Sequence, residues 1–325
     1  MTAPGDSPRS VVVTGSNGTV GVAVVGRLAA EKVTVTALDA QVTASAADTY
    51  GIRQVAADVT DEAAVTAALH GADAVVHLAA IPHPTLGSAR QVFTNNTNAT
   101  FTVLAAAAAA GIRRAVIASS INASGVNLNP GLLLPAYFPI DENLPADIAD
   151  AYSLSKAVDE MTAAMAFRAW GINVIALRLP LVRPLAALPE FVTQAAANPA
   201  EMVRTGWAYL AAEDAAAAVW AALRVPVPGS HVIGLSAADT LLATPSEELL
   251  DRYAPGVPRR RRFAGNGALV ATTRAQALLS FYPRYSVHEM SENAAETGRS
   301  RPEPVSPEAL QQSVRPMNTT PPELL

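Results

Sequence analysis

The chain has 325 residues, half of them apolar and 16% charged, which excludes disorder throughout and leaves one large domain or two small ones. Lys plus Arg is 23 against 28 Asp plus Glu, a net charge of −5, so general nucleic-acid affinity is not expected. There is no cysteine, which excludes disulfides, thiolate metal sites and cysteine catalysis, and five scattered histidines do not make a metal cage.

The elements follow in chain order. Ser10 to Thr14 is a β-branched run that reads as a buried strand. A glycine-rich turn follows, and then Val20 to Ala30 at helical spacing. Lys32 to Leu38 reads as a second strand that ends at Asp39, and Ile52 to Ala56 as a third. A helix is predicted from about Asp61 to Leu69, and a fourth strand over Ala74 to Leu78. A long helix spans Ala89 to Ala110 and stops at Gly111. Its most apolar stretch, Phe101 to Ile112, is short and Ala-rich, so no membrane span is expected. Ala115 to Ser119 is a fifth strand, Ala151 to Trp170 a helix ending at Gly171, and Asn173 to Leu177 a sixth strand. Strands alternating with helices predict an α/β fold, a doubly wound parallel sheet covered on both faces.

Beyond Arg178 the pattern loosens, punctuated by Pro180, Pro184, Pro189 and Pro199. Glu213 to Leu223 is a clear helix and His231 to Leu235 a returning strand. Ser246 to Tyr253 and Ala268 to Leu279 look helical. The expected organisation is a dinucleotide-binding domain over 9–178, with 207–235 returning to it. A smaller, mostly helical substrate lobe is expected from 179–206 and 236–290, and a Pro-rich, disordered tail over 291–325. Met1 to Ser10 carries Asp6 and no apolar run, so a cytoplasmic enzyme or binding protein is the expected class.

The turn after the first strand reads Thr14-Gly15-Ser16-Asn17-Gly18-Thr19-Val20-Gly21. Glycines at this spacing let the backbone turn sharply and approach a pyrophosphate at the N-terminus of the next helix. The strand–turn–helix context raises the motif above an ordinary glycine turn. Asp39, at the end of the second strand, stands where a carboxylate accepts the ribose hydroxyls of an adenosine. A 2′-phosphate would be repelled there and no arginine follows immediately, so NAD is favoured over NADP. Asp58-Val59, after the third strand, could border the adenine.

Tyr152-Ser153-Leu154-Ser155-Lys156 lies near the start of a predicted helix. The i, i+4 spacing puts Tyr152 and Lys156 on one face. An ammonium beside a phenol favours the phenolate, and a lysine can also donate to a nicotinamide ribose. Only Lys32 and Lys156 are lysines in a chain whose other basic residues are all arginine, so the retention of Lys156 is itself a signal. Ser119-Ser120 ends the fifth strand, and the C-terminal strand ends are where doubly wound sheets bind ligands.

On these residues the chain resembles the extended short-chain dehydrogenases/reductases, the NAD-dependent epimerase/dehydratase family, from about Val11 to Tyr285. The family's glycine loop matches Gly15, Gly18 and Gly21, with Asn17, Thr19 and Val20 between and beside them. Its ribose ligand matches Asp39 and its adenine-side acid Asp58, followed by Val59. Its H-L-A-A stretch matches His77, Leu78, Ala79 and Ala80. Its N-x-x-G-T segment appears as Asn96-Thr97-Asn98-Ala99-Thr100, with Ala for Gly. The catalytic serine matches Ser120 and the Y-x-x-x-K pair Tyr152 and Lys156. Arg178 with Pro184, and Tyr209 with Asp214, resemble later family segments. The resemblance implies a Rossmann fold, NAD as cofactor and no metal.

The departures bear on the reaction. Family dehydratases carry Thr-Asp-Glu where this chain has Ser120-Ile121-Asn122, so loss of water has no evident catalyst. Nucleotide-sugar epimerases often carry Tyr-Gly where this chain has Ser124-Gly125, and an Asn where it has Leu181. A dehydrogenase needs neither. The expected function is therefore hydride transfer between nicotinamide and a hydroxyl or carbonyl of a sugar, sugar acid or similar small molecule. A sugar or nucleotide-sugar epimerase and a non-catalytic dinucleotide sensor are the alternatives. Three weaker signals remain. Arg259 to Arg262 reads either as an anion site or as a solvated stretch. His83, between two prolines, reads as a loop residue near the pocket. The helices near Phe101 and Met161 either pack on the sheet or, as in the family, pair two subunits into a homodimer.

Overall fold

The computed structural model describes residues 7–41 and 52–289. The predicted tail from Ser291 lies outside the described residues. The described residues up to Val287 form one compact unit.

Seven strands form one sheet: β1 (Ser10–Thr14), β2 (Thr34–Asp39), β3 (Arg53–Ala56), β4 (Ala74–His77), β5 (Arg114–Ser120), β6 (Asn173–Leu179) and β9 (Ser230–Gly234). Their order is β3-β2-β1-β4-β5-β6-β9, and every pairing is parallel. The order reverses between β1 and β4, which opens a crevice beyond the carboxyl ends of those two strands.

Alternation along each strand sends side chains to two cores. Val11, Val13, Val76, Val116 and Ile175 face one side, covered by α1 (Thr19–Ala30), α6 (Ala212–Arg224) and α8 (Thr273–Leu279). Val12, Val75, Ile117 and Val174 face the other, covered by α2 (Glu62–Leu69), α3 (Ala89–Ala109) and α4 (Ala151–Trp170). Local chemistry sets the helix ends. Asp61 caps α2 by accepting from the amides of Ala63 and Ala64, Ser88 and Gln91 form a reciprocal capping box on α3, and Asp150 caps α4 through Ser153. Gly171 ends α4 in the left-handed conformation, at φ +69°.

A third apolar cluster joins the segment before α4, through Tyr137, Phe138 and Ile140, to later segments through Trp207, Tyr209, Leu250 and Leu269, so this core also draws on residues inside the expected 9–178 domain. It contains a small parallel pair, β7 (Leu181–Arg183) with β8 (Tyr209–Ala211), that the sequence pattern did not reveal. It also contains α5 (Leu188–Ala197), which tolerates Pro189 because proline sits in its first turn, and α7 (Ser246–Tyr253). The helix expected over Ala268 to Leu279 starts only at Thr273. Val270 instead bridges Ile140, with the Leu269 carbonyl accepting from the Ile140 amide and the Ala271 amide donating to the Ile140 carbonyl. The carbonyl and the amide spent on this neighbouring segment are not available to a helical turn.

Candidate active site

The glycine loop crosses the crevice at the end of β1. Gly15 has φ +68°, and an added Cβ would lie 2.6 Å from the Ala79 nitrogen. At Gly21 an added Cβ would fall on the Gly15 carbonyl and 2.8 Å from the Ser16 backbone. Both glycines are therefore demanded by the protein's own packing. Gly18 differs. Its φ of −70° is ordinary, and its Cβ would meet only the Gly15 oxygen at 3.4 Å. Space remains in front of Gly18, and the side chain that would fill it is missing. Thr19 is exposed beside it and Val20 packs partly on the core. α1 opens without a side-chain cap, unlike α2, α3 and α4, so its first amides stay available to an anion. These features fit a dinucleotide pyrophosphate.

Asp39 accepts from the Asn17 amide through Oδ2 at 2.9 Å, which fixes the loop against the end of β2. Among the described residues no bond is made to its Oδ1. Asp58 uses Oδ1 for both the amide and the hydroxyl of Thr60, at 2.8 and 2.7 Å. Those bonds hold its carboxyl below the usual range, with the amide contributing most. Val59 is buried in the core, so only its backbone can border a ligand.

Leu78 and Ala79 cross directly over Gly15, tied to Thr14 by the Leu78 amide at 3.1 Å and the Ala79 amide at 3.4 Å. Ala80 continues that segment and is half-buried. His77 is buried beneath it, with Nδ1 2.8 Å from Thr14 Oγ1. Burial, aided by the Lys156 charge, pushes its pKa down to about 3, so its ring is neutral and moves no proton near pH 7. Asn96 is also buried. Its amide brackets the Ile81 backbone, accepting at 2.8 Å and donating at 3.1 Å, and it also reaches Ser155. Asn96 thus holds the loop after β4, and its direct bonds are to protein.

At the end of β5, Ser120 Oγ accepts from the Asn122 amide at 3.1 Å and keeps its own proton to donate. Tyr152 and Lys156 are both buried on α4. Lys156 Nζ donates to the Ala118 carbonyl at 3.0 Å, two residues before Ser120, which ties the helix to the serine-bearing strand. It also pairs with Asp159 at 3.1 Å. Glu160, one residue further, accepts from Ser119 Oγ at 2.6 Å and from the Nε and Nη2 of Arg178. The sequence reading missed Asp159 and Glu160. The available signal was two acids three and four residues after a lone lysine.

Other expectations do not gather here. His83 is exposed and hydrogen-bonds Thr85 in its own loop. Arg259 pairs with Glu247 and Asp251, Arg260 with Asp141, and Arg261 with the Ala268 carbonyl. Tyr209 donates to Asp239, while Asp214 accepts from the Arg284 and Tyr285 amides. Among the described residues no group of three His, Asp or Glu could hold a metal, and no helix is long and apolar enough to cross a membrane.

A sequence profile of the NAD dependent epimerase/dehydratase family matches residues 11–234. No curated protein sequence matches the chain. Solved structures do. A short-chain dehydrogenase/reductase superfamily protein from Agrobacterium tumefaciens, with bound NAD, is 23% identical at a TM-score of 0.66, covering 93% of this chain and 99% of its own. The UDP-glucose 4-epimerase of Thermotoga maritima is 18% identical at 0.64, covering 89% and 98%. A mutated uronate dehydrogenase is 20% identical at 0.60, covering 92% and 89%. At these identities the likeness establishes the fold.

Proposed function

The chain belongs to the NAD dependent epimerase/dehydratase family, with NAD as its cofactor, and we propose that it is a dehydrogenase of a sugar, sugar acid or similar small hydroxy compound. The observation that carries this reading is the bond from Lys156 to the Ala118 carbonyl. It joins Tyr152 and Lys156 on α4 to the strand that ends in Ser120. Gly15, Gly18 and Gly21 with the opening turn of α1 hold the pyrophosphate, Asp39 the adenosine ribose, and Asp58 with the Val59 backbone the adenine edge. Leu78, Ala79 and Ala80 form the wall between the two halves, kept in place by Asn96. Bound NAD⁺ supplies the hydride acceptor.

Ser120 donates to the substrate oxygen and orients it. Tyr152, as phenolate, takes the hydroxyl proton while the carbon's hydride leaves, so the alcohol becomes a carbonyl and both bonds are accounted for. Lys156 stabilises the phenolate by its charge and keeps one N–H for the nicotinamide ribose. Dehydration lacks an acid in the Ser120-Ile121-Asn122 segment. Epimerisation would use the same three residues and would differ in returning the hydride, before the cofactor leaves, to the opposite face of the carbonyl, which requires the intermediate to turn over in the site.

The test is NADH absorbance on adding NAD⁺ with uronic acids, other sugar acids, free sugars, nucleotide sugars and simple alcohols. Catalytic NADH accumulation is expected with one class, and Tyr152→Phe should abolish it while NAD binding persists. A substrate inverted at one carbon with no net NADH would replace the dehydrogenase with an epimerase. NAD binding without turnover of any kind would favour the sensor.

A homodimer and a cytoplasmic location complete the proposal. Phe101, Leu154 and Met161 are large apolar residues exposed on α3 and α4, and Leu154 and Met161 share a face seven residues apart. Sedimentation of the wild type should give twice the chain mass, and Met161→Glu should halve it.

A further inference from the structure

We infer that Asp159 is a positioning residue for Lys156: it is the buried counter-charge that keeps the lysine protonated and aims its remaining N–H at the cofactor. This rests on the reading that Lys156 holds the nicotinamide ribose.

An ammonium has three donors. Ala118 O takes one at 3.0 Å and Asp159 Oδ2 a second at 3.1 Å. One remains. With two directions fixed by the protein, the third is fixed by tetrahedral geometry. The lysine therefore meets a ligand already oriented, and little side-chain entropy is left to lose.

The carboxylate is costly where it stands. Its side chain is 1% exposed and that of Lys156 6%. Burial raises the Asp159 pKa, and Glu160 adds to the rise. The Lys156 ammonium is the largest opposing influence, and the Thr100 hydroxyl on α3 helps. Oδ1 makes no hydrogen bond. An apolar side chain of similar size would avoid that desolvation. A half-satisfied buried acid is therefore poor stability design, and its use is its effect on the lysine.

Among the described residues no other carboxylate is free to take its place, and Tyr152, on the same helix, is the group that the ammonium serves in the reaction. The His77 ring, on β4, feels the lysine charge and is neutral. On α4, Glu160 is already committed to Ser119 and Arg178. The β5 contribution is the uncharged Ala118 carbonyl. Without Asp159 an ammonium this buried would favour its neutral form. It would then lose its charge on the phenolate side and its strength as a ribose donor.

The experiment is NADH binding followed by fluorescence from about pH 6 to pH 10, for wild type, Asp159→Asn, Asp159→Glu and Lys156→Met, each alone and with Asp159→Asn added to Lys156→Met. In Asp159→Asn, affinity should stay near wild type at the acid end. It should then fall, by up to about tenfold per pH unit, above a transition that lies lower than any in the wild type. Asp159→Glu should recover most of the alkaline affinity. In the Lys156→Met background Asp159→Asn should change nothing. A folded Asp159→Asn protein with the wild-type pH profile overturns the inference while leaving the lysine's role intact. Lys156→Met with undiminished NADH affinity overturns that role as well. If Asp159→Asn does not fold, Asp159→Ser decides over the same pH range: the same early alkaline fall is expected, and the wild-type profile overturns the inference.

Discussion

In front of Gly18 the protein's own atoms leave room. The first amides of α1 are uncapped, Asp39 has an oxygen to spare, and Ser120 and Lys156 each keep a donor. Around Arg259 to Arg262 the sequence is just as conspicuous, yet three of the four guanidiniums are already engaged by Glu247, Asp251, Asp141 and the Ala268 carbonyl. Tyr209 and Asp214 behave the same way, tying β8 and α6 to the 284–287 segment. The difference teaches that a motif's chemistry is legible from what its groups have left unspent. A charged run whose partners are internal is scaffold, however much it resembles a binding patch.

The largest test of that contrast is within the glycine loop. Gly21→Ala should cost several kcal/mol or prevent folding, because its Cβ would collide with backbone and no flexible side chain can yield. Gly18→Ala should change stability by less than about 1 kcal/mol, since its backbone angles are ordinary. It should nevertheless weaken NAD binding by about ten- to a hundredfold, an effect of steric exclusion from the cofactor. Thermal melts and NADH titration read the two effects separately. A Gly18→Ala protein that binds NADH normally would remove the opening from the argument.

Next comes His77. Its folded pKa is about 3 against an ordinary 6.5. Below about pH 6.5 the unfolded chain takes up a proton that the folded protein refuses. Stability contributed by the neutral ring is thus complete above pH 6.5 and is lost as the pH falls toward 3. The loss amounts to a few kcal/mol, by order of magnitude. His77→Gln should flatten that part of the curve in urea unfolding at stepped pH. Asp159 and Asp214, whose pKa values are raised by burial, act with the opposite sign. They add stability as the pH falls, so the His77 slope must be read as wild type minus variant.

Much of this was readable before any coordinates. The β-branched runs at Val11 to Val13 and Val174 to Ile175 predict central strands because burial on both faces needs them. Glycine spacing, Asp39 and the Tyr152/Lys156 pair follow local geometry, which the sequence carries directly. What was hidden is long-range. That Asn96 would clamp Ile81, that Arg178 would reach Glu160, and that the arginine run would find acids on α7 and at Asp141 depends on packing between distant segments. Ala268 to Thr272 reads as helix by composition and lies outside it, because Leu269 and Ala271 answer to Ile140. Asp159 falls between these cases. Its spacing from Lys156 is visible, but its burial becomes visible only when α3 and β5 close over it.

Tyr209→Phe probes the second region at intermediate size. It removes the hydroxyl that donates to Asp239 and accepts from the Val287 amide, so both bonds are lost. A loss of about 1–3 kcal/mol is expected. The kcat of the folded variant should be that of the wild type, because no substrate group depends on this hydroxyl. A fall in kcat with unchanged melting would move Tyr209 from scaffold to site.

The smallest effect should come from Arg259→Ala. Its guanidinium bridges Glu247 and Asp251 on α7, and its side chain is 23% exposed, so solvent screens both pairs. About 1 kcal/mol or less should be lost, and less still in high salt. Glu247 would keep its amide bond from Phe263, the main cause of its lowered pKa, so the carboxylate should remain charged and in place. KM for an anionic substrate should stay within about twofold, as expected when no ion pair to the ligand is broken. A tenfold rise in KM confined to carboxylated or phosphorylated substrates would mean that the arginine run leaves its internal partners when a ligand arrives. Unspent capacity in the resting fold would then no longer separate site from scaffold in this molecule.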